Sequence, residues 1–140
     1  MRITDSDLRK HILKSIKNEL GYMHFINHIA IIEFNEGVHV ELNNTKSIFN
    51  ELKSYFGTKE PFGVIANRVN SYSVKLLDIP ALREQVTNLK AYAVVGHDPA
   101  GIMNAAIESN FCLSNDIGYD NIYEAIFNVN SKVKNLNLAI

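Results

Sequence analysis

The amino-acid sequence predicts an α/β domain built on a mixed β-sheet, with antiparallel hairpin strands near the N-terminus, parallel βα units after them, and helices mainly on one face. Three observations support this prediction. Short β-type segments separated by turn residues fill the first part of the chain, and in the later part they alternate with amphipathic helical stretches. Two of the later segments are continuous apolar runs, which are typical of strands buried on both faces of a parallel sheet.

The size and charge of the chain limit its class. Its 140 residues, 46% of them hydrophobic, suit a single globular domain over 1–140, and we expect the folded core at about 12–132. Fourteen basic and fifteen acidic side chains leave a net charge of -1. Proteins that grip nucleic acid usually carry a basic surplus, so nucleic acid is not an expected partner.

Cysteine content and hydropathy indicate the compartment. Cys112 is the single cysteine, so no internal disulfide can form, and we expect a buried, inert thiol. No apolar run reaches the roughly 20 residues that span a bilayer, so no transmembrane segment is expected. The first ten residues are polar and include Asp5 and Asp7, unlike a signal peptide. The expected location is the cytoplasm.

Residues 10–20 are ambiguous, because apolar side chains recur every four positions and also fall on even positions. The first spacing suits one face of a helix, and the second suits one face of a strand. The family resemblance given below favours a strand from about Lys14 through Phe25. The apolar side chains concerned are Ile12, Ile16 and Leu20.

The next segment predicts a β-hairpin. His28–Phe34 is rich in β-type residues, and Asn35-Glu36-Gly37 follows as a short connection that contains glycine. Apolar and polar side chains then alternate from Val38 to Leu42, as on a strand with one wet face. We therefore expect the two strands to pair with each other.

A helix and a buried strand come next. Asn43-Asn44-Thr45 supplies capping residues, apolar side chains recur at helical spacing, and Gly57 suits a left-handed end, so a helix is predicted from about Thr45 to Phe56. Phe62–Ala66 is a continuous apolar run and predicts a strand buried on both faces.

Two further βα units are predicted. Asp78 and Pro80 mark a helix start, and Ala91–Gly96 is a second buried strand. Asp98-Pro99 opens another helix, and a shorter edge strand is expected around Phe111–Ile117. Asp120 can cap the last helix. The stripes expected to be buried are Leu82, Val86 and Leu89, then Ile102, Met103, Ala106 and Ile107, and last Ile122, Ile126, Val129 and Val133.

The polar loop after the first buried strand is the main candidate site. Ligands of open α/β sheets bind outside the carboxyl ends of strands. Arg68 suits a carboxylate or a phosphate, and Ser71, Tyr72 or Ser73 could accept a phosphoryl group. The alternative is a long loop whose polar side chains bond their own backbone. The candidate binding or switch residues are Asn67, Arg68, Asn70, Ser71, Tyr72 and Ser73.

A second candidate follows the next strand. His97 and Asp98 lie where a strand leads into a helix, whose positive end could favour an anion, and His97 could act as an acid or base. The alternative is an ordinary βα loop with an aspartate cap. No metal site is expected, because His24 and His28 on one strand would lie about 13 Å apart. No cofactor motif is present, so no cofactor is expected.

Three segments together resemble one protein family. They are Ile32–Val38, Ile65–Ser73 and Ile117–Ile126. They resemble small bacterial proteins classed with the SpoIIAA-like, STAS-related domains, and the resemblance covers about residues 12–132. It implies a STAS-like fold, with a sheet backed by helices on one face. It also implies a role as an antagonist of anti-sigma factors or as a regulatory or ligand-binding module.

The resemblance also bears on the candidate loop. Signalling members of the family are phosphorylated on a Ser or Thr within a pattern like Asp-Ser-Ser-Gly, which is absent here. Ser71 and Ser73 lie in a roughly comparable loop with different neighbours. SpoIIAA-like proteins also resemble lipid-binding CRAL-TRIO domains in architecture, which implies an apolar ligand as a second hypothesis.

Three functions are therefore considered. The first is a non-enzymatic regulatory or protein-interaction domain that contacts an unknown partner through Asn67–Ser73. The second is a carrier of a small or lipid-like ligand, which needs an apolar-walled pocket of roughly 300 Å³ or more. The third is an enzyme in which His97 and Arg68 converge on one cleft. Self-association to a homodimer through an edge strand or a helix face stays open.

Overall fold

A mixed β-sheet forms the centre of the protein, whose structure is a computed structural model that describes residues 1–109 and 118–138. Within these residues the main sheet has six strands, and a separate two-stranded sheet lies beside it. The strands are β1 (Lys14–Asn18), β2 (Gly21–Ile26), β3 (Ile29–Phe34), β4 (His39–Val40), β5 (Phe62–Arg68), β6 (Ser73–Val74), β7 (Leu89–Gly96) and β8 (Gly118–Tyr119).

The order of the main sheet is β1-β2-β3-β5-β7-β8. The first two neighbouring pairs are antiparallel, and β3, β5, β7 and β8 run parallel to one another. This arrangement confirms the predicted mixed sheet of antiparallel hairpins followed by parallel βα units. The ambiguous segment is a strand from Lys14, as favoured, but a turn at Glu19 and Leu20 divides it into β1 and β2.

The predicted hairpin between His28–Phe34 and Val38–Leu42 is wrong. Both edges of β3 already have partners, antiparallel β2 on one side and parallel β5 on the other, so no edge is left for the following segment. The chain instead leaves the main sheet after Phe34, and β4 pairs in parallel with β6. The hairpins that do form join β1 to β2 and β2 to β3.

Four helices lie in the described residues. The helix predicted after Thr45 is confirmed and ends at Gly57, which has a φ of 75°. The next helix is only six residues long, and Leu89, predicted on its apolar face, already belongs to β7. The predicted strand Phe111–Ile117 and Cys112 lie outside the described residues. The helices are α1 (Lys46–Phe56), α2 (Ile79–Glu84), α3 (Pro99–Ser109) and α4 (Ile122–Leu138).

The start of α4 differs by one residue from the prediction. Asn121, and not Asp120, provides the cap, because its Oδ1 accepts a hydrogen bond of 2.8 Å from the backbone N–H of Tyr123. The same oxygen accepts a longer bond from Glu124 N. The apolar stripe of this helix is confirmed, with Ile122, Val129 and Val133 buried and Ile126 half-buried.

The buried stripe predicted for α3 is wrong. Ile102, Met103 and Ile107 are 47%, 65% and 39% exposed, while Gly101 and Ala105 are buried. The reason is a close approach of the helix to the sheet. A Cβ on Gly96 would lie 2.5 Å from the backbone N of Ile102, so only small side chains fit on the inner side of the helix. The side chain of Ala106 lies outside the described part of the structure.

The two faces of the sheet carry separate cores. On the first, here called the α1 face, side chains such as Ala30, Ile32 and Val64 pack with α1 and α2. Ala66 and Val94 point to the same face and contact α3. On the second, the α4 face, the odd-numbered side chains of β3, β5 and β7 pack with α4 and the N-terminal segment. Helices thus cover both faces of the sheet, with α1, α2 and α3 on one face and α4, the longest helix, on the other. No helix among the described residues has the length and apolarity to cross a membrane.

Candidate functional site

The predicted polar loop Asn67–Ser73 is shorter than the sequence suggests. Asn67 and Arg68 are the last residues of β5 and pair with Val95 and Gly96 of β7. Both side chains are buried, Asn67 completely. Because successive strand residues point to opposite faces, Arg68 lies on the α1 face and Asn67 on the α4 face. The candidate site is therefore divided by the sheet.

Arg68 fixes the loop on the α1 face. Its guanidinium carbon lies 3.8 Å from the centroid of the Tyr72 ring, and its Nη2 donates a hydrogen bond of 2.5 Å to the backbone oxygen of Tyr72. Tyr72 is itself buried and packs against Phe34, with 4.8 Å between ring centroids. Arg68 thus acts within the fold, and its guanidinium is not presented at the surface to an anion.

The remaining loop residues bond to both backbone and side-chain atoms of the segment 34–39. Asn70 donates to the oxygen of Phe34 at 2.9 Å, and the N–H of Ser71 donates to Glu36 at 2.8 Å. The hydroxyl of Ser73 lies 2.6 Å from Nδ1 of His39. Ser71 and Ser73 are exposed. The two serines are consequently the loop residues that a modifying enzyme or a partner protein can reach.

A chain of hydrogen-bonded side chains crosses the sheet on the α4 face, and we call it the polar row. Glu33 lies at its centre and is 2% exposed. Its Oε2 accepts bonds from Asn67 Nδ2 at 2.7 Å and from the N–H of Ile3 at 2.8 Å. Nε2 of His24 lies 3.5 Å from the other oxygen. In order across the sheet, the members are Ser15, His24, Glu33, Asn67 and His97.

The charge of Glu33 is stabilised within the polar row. Burial alone would raise its pKa, but hydrogen bonds from His24, the N–H of Ile3 and Asn67 outweigh burial and hold the pKa below its ordinary value of 4.5. Sequence reasoning missed this residue because it lies in an otherwise apolar strand. A carboxylate in the middle of such a strand is itself a signal, since buried charges need partners.

His97 forms the other end of the polar row. Its Nε2 lies 2.5 Å from Oδ1 of Asn67, and its Nδ1 lies 3.3 Å from the amino group of Met1. Burial and the positive charge of that amino group lower the pKa of His97, which favours the neutral imidazole. The neighbouring Asp98 accepts a bond of 2.6 Å from Gly101 N, as a helix cap. The anion site proposed for His97 and Asp98 stays a prediction.

His97 and Arg68 lie on opposite faces of the sheet, because they contact Asn67 and Tyr72 respectively. An enzyme that uses both groups in one cleft would need them on the same face. The structure therefore does not bring these two residues together.

A cavity that periodicity could not predict lies on the α1 face. It has a volume of 110 Å³ and is partly enclosed between the sheet, α1 and α2. Val64 and Ala66 of β5 line it on the side of the sheet. We call this space the ligand cavity, after the function that we propose for it below. Its walls are mainly apolar and include Ile48, Leu52, Val64, Ile79, Leu82 and Val86.

The ligand cavity also touches the candidate loop. Tyr72 and Val74 form part of its wall, although Ser71 and Ser73 beside them are exposed. Polar lining comes from Thr45, Tyr72, Tyr92 and Arg83. The loop therefore connects an internal apolar space with the protein surface.

No protein-family model, curated protein or solved structure matches this chain significantly. The resemblance to SpoIIAA-like, STAS-related domains therefore stays a prediction that rests on segments such as Ile65–Ser73. The geometry of the ligand cavity and of its adjoining loop is the basis for assigning a function.

Proposed function

We propose that this protein is a non-enzymatic binding domain of the SpoIIAA-like, STAS-related type, whose ligand cavity takes up a small, mainly apolar molecule. The observation that carries the proposal is the cavity of 110 Å³ with apolar walls. Protein interiors are close-packed, and voids much larger than a water molecule are few. On the same scale a single water needs only about 10–15 Å³.

The cavity volume limits the ligand. At 110 Å³ it does not reach the roughly 300 Å³ that the sequence analysis required of a carrier, so a long-chain lipid does not fit and the proposal is restricted to small molecules. An apolar cavity of about 150 Å³ holds benzene, so a space of 110 Å³ suits an apolar body of about four to six non-hydrogen atoms. Each buried methylene of such a ligand contributes about 0.8 kcal/mol, or about fourfold in affinity.

A regulatory role is the second candidate, and the exposed serines favour it. Ser71 and Ser73 flank Tyr72, a residue of the cavity wall. A ligand that moves Tyr72 would move both serines, and a partner protein could respond to that movement. A phosphate on either serine would add about two negative charges at this surface and could switch a partner interface.

Mass spectrometry of the protein purified from its own cells separates these two functions. Extra mass that is present under native conditions and lost on denaturation supports a ligand carrier. Extra mass equal to phosphate that survives denaturation supports the switch, and peptide mapping then tests Ser71 and Ser73.

A series of linear alcohols, from 1-butanol to 1-dodecanol, tests the cavity directly by titration calorimetry. We expect affinity to rise about fourfold per methylene and to level off once about six carbons are bound. Unlimited growth of affinity with chain length, or no saturable binding, would contradict uptake into this cavity.

Two tryptophan variants provide matched controls, since the chain has no tryptophan of its own. Leu82 lines the cavity, whereas Leu77 is 81% exposed and does not. Leu82→Trp should fill the cavity and remove alcohol binding, and Leu77→Trp should preserve it. Equal effects of the two variants would show that the alcohols bind elsewhere.

A further inference from the structure

Arg83 introduces a positive charge into the otherwise apolar lining of the ligand cavity. It lies on α2 and is half-buried. Its Nη1 is buried and has no hydrogen-bond partner among the residues that the structure describes. Within the same residues, the ion pairs that form involve His24 and His39, so no carboxylate in this part of the chain forms an ion pair with Arg83.

A buried guanidinium N–H group without a hydrogen-bond partner, such as that of Nη1, is unfavourable. Arginine stays protonated at any pH a protein meets, so it cannot lose its charge on burial as lysine can. A buried polar donor without a partner keeps the full cost of losing its water, and this cost is larger for a charged group. The other lining groups do not remove this cost. The hydroxyl of Thr45, for example, donates to the backbone oxygens of Glu41 and Leu42.

A carboxylate on a ligand would supply the negative charge and the hydrogen-bond acceptors that Arg83 Nη1 lacks. Its two oxygens match the fork of guanidinium N–H groups and form charge-assisted hydrogen bonds. Arg83 is the one charged residue that lines the cavity in the described structure, so a single negative charge gives neutrality. A phosphate monoester would bring about two negative charges against one positive charge. The charge balance therefore favours a monocarboxylate.

We propose that the ligand of this cavity is a small monocarboxylate with an apolar body, and that Arg83 binds its carboxylate group. This inference rests on the proposed function of the ligand cavity. Arg83 is half-buried, whereas Ile48, Leu52 and Val64 are buried. The carboxylate accordingly lies towards solvent beside α2, and the apolar body points inward between α1 and the sheet.

A pair of ligands with the same chain tests the inference. Octanoate and 1-octanol share an apolar body and differ in the charge of the head group. With the head group and the carbons next to it at the open side, about four to six carbons of either chain lie in the cavity. Calorimetric titrations compare the wild-type protein, Arg83→Met and Arg9→Met. Arg9 is exposed and remote from the cavity lining, so Arg9→Met is the matched loss of one arginine charge.

Arg83→Met should weaken octanoate binding by about ten- to a hundredfold, the range for losing a hydrogen-bonded charge partner. It should change 1-octanol binding by less than about threefold, because methionine keeps the apolar length of the side chain. Arg9→Met should leave both affinities unchanged. Arg83→Lys keeps the charge without the fork, and it should lose less octanoate affinity than Arg83→Met.

The outcomes separate this inference from the proposed function. If neither ligand binds the wild-type protein, the ligand cavity does not take up such molecules and both proposals fail. If both bind but octanoate affinity is the same in Arg83→Met, the carboxylate assignment is overturned while the proposed function stands. Equal losses for both ligands in Arg83→Met would also overturn it, because Arg83 would then only shape the cavity.

A comparison that needs no variant covers the case in which Arg83→Met does not fold. Methyl octanoate removes the charge of octanoate and keeps its chain. The wild-type protein should bind octanoate more tightly than methyl octanoate, and added salt should weaken octanoate binding alone. Equal affinity for acid and ester would rule out recognition of the carboxylate.

Discussion

Glu33→Gln removes one negative charge from the polar row and keeps the size of the side chain. Oε2 of Glu33 accepts two hydrogen bonds, from Asn67 and from the N–H of Ile3. Glutamine can still accept both, but as a neutral group. Hydrogen bonds to a charged group contribute about 1.5–3 kcal/mol and neutral ones about 0.5–1.5 kcal/mol. The expected loss is therefore about 1 kcal/mol per bond, or about 2 kcal/mol in total.

The pH dependence of this loss identifies the charge as its cause. The pKa of Glu33 in the folded protein lies below its ordinary value of 4.5. A lowered folded-state pKa stabilises the protein above the unfolded-state pKa, and this contribution disappears as the pH falls through the folded-state pKa. The difference in stability between wild type and Glu33→Gln should thus be complete near about pH 7 and should shrink under acid conditions.

Urea denaturation followed by circular dichroism, at neutral pH and again under acid conditions, measures these differences in stability. Glu19→Gln is the matched control, because Glu19 is exposed in the turn between β1 and β2, and its effect should stay within about 0.5 kcal/mol. A loss from Glu33→Gln below that limit, or a loss that is the same at acid and neutral pH, would refute the assignment of a stabilised buried charge.

Three other substitutions test separate parts of the structure by the same denaturation assay. Leu52→Ala should cost about 2–5 kcal/mol, because Leu52 is 2% exposed on the inner face of α1; a cost near zero would mean that the helix face is wrong. Arg68→Ala should lower stability by about 1–3 kcal/mol, because it removes the buried contact with Tyr72, and an unchanged midpoint would contradict this. Gly96→Ala should cost about 1–3 kcal/mol, since the added Cβ would lie 2.5 Å from Ile102 N, and tolerance would show that α3 packs less closely.

Elements specified by local signals were predicted well from the sequence. The helix Lys46–Phe56 combines capping residues, an apolar stripe and a terminal Gly57, and all of these act within a few residues of the chain. The apolar runs in the sequence predict the strands β5 and β7. In such segments the local preferences and the tertiary structure agree, which is the condition for a correct prediction.

Elements decided by distant contacts were predicted poorly. Val38–Leu42 alternates like a strand of a hairpin, yet β2 and β5 already pair with both edges of β3. Ile102 and Met103 look like a core stripe, but the close packing on Gly96 admits only small residues. In both cases a long-range interaction overrode a pattern that was locally reasonable.

The candidate site shows the same limit. Asn67 and Arg68 were assigned to a loop because they are polar, but each has partners that allow it to be buried at the end of a strand. The ligand cavity depends on how completely side chains fill the space between β5 and two helices, α1 and α2. The periodicity of apolar residues in a sequence does not report how well this space is filled. Arg83 was not singled out, because an arginine on a short helix is usually solvated.

If the cavity takes up a ligand as proposed, the small sheet of β4 and β6 would determine how easily that ligand enters and leaves. Each strand has two residues, and the ladder is held by a few backbone bonds, such as Ser73 N to Val38 O and Lys75 N to Val40 O. Short elements with few contacts open locally at a much lower free energy than the whole domain. Val40, Tyr72 and Val74 would move with this ladder, and all three line the cavity. The residence time of a ligand would then reflect the lifetime of a four-residue ladder, while the main sheet stays folded throughout.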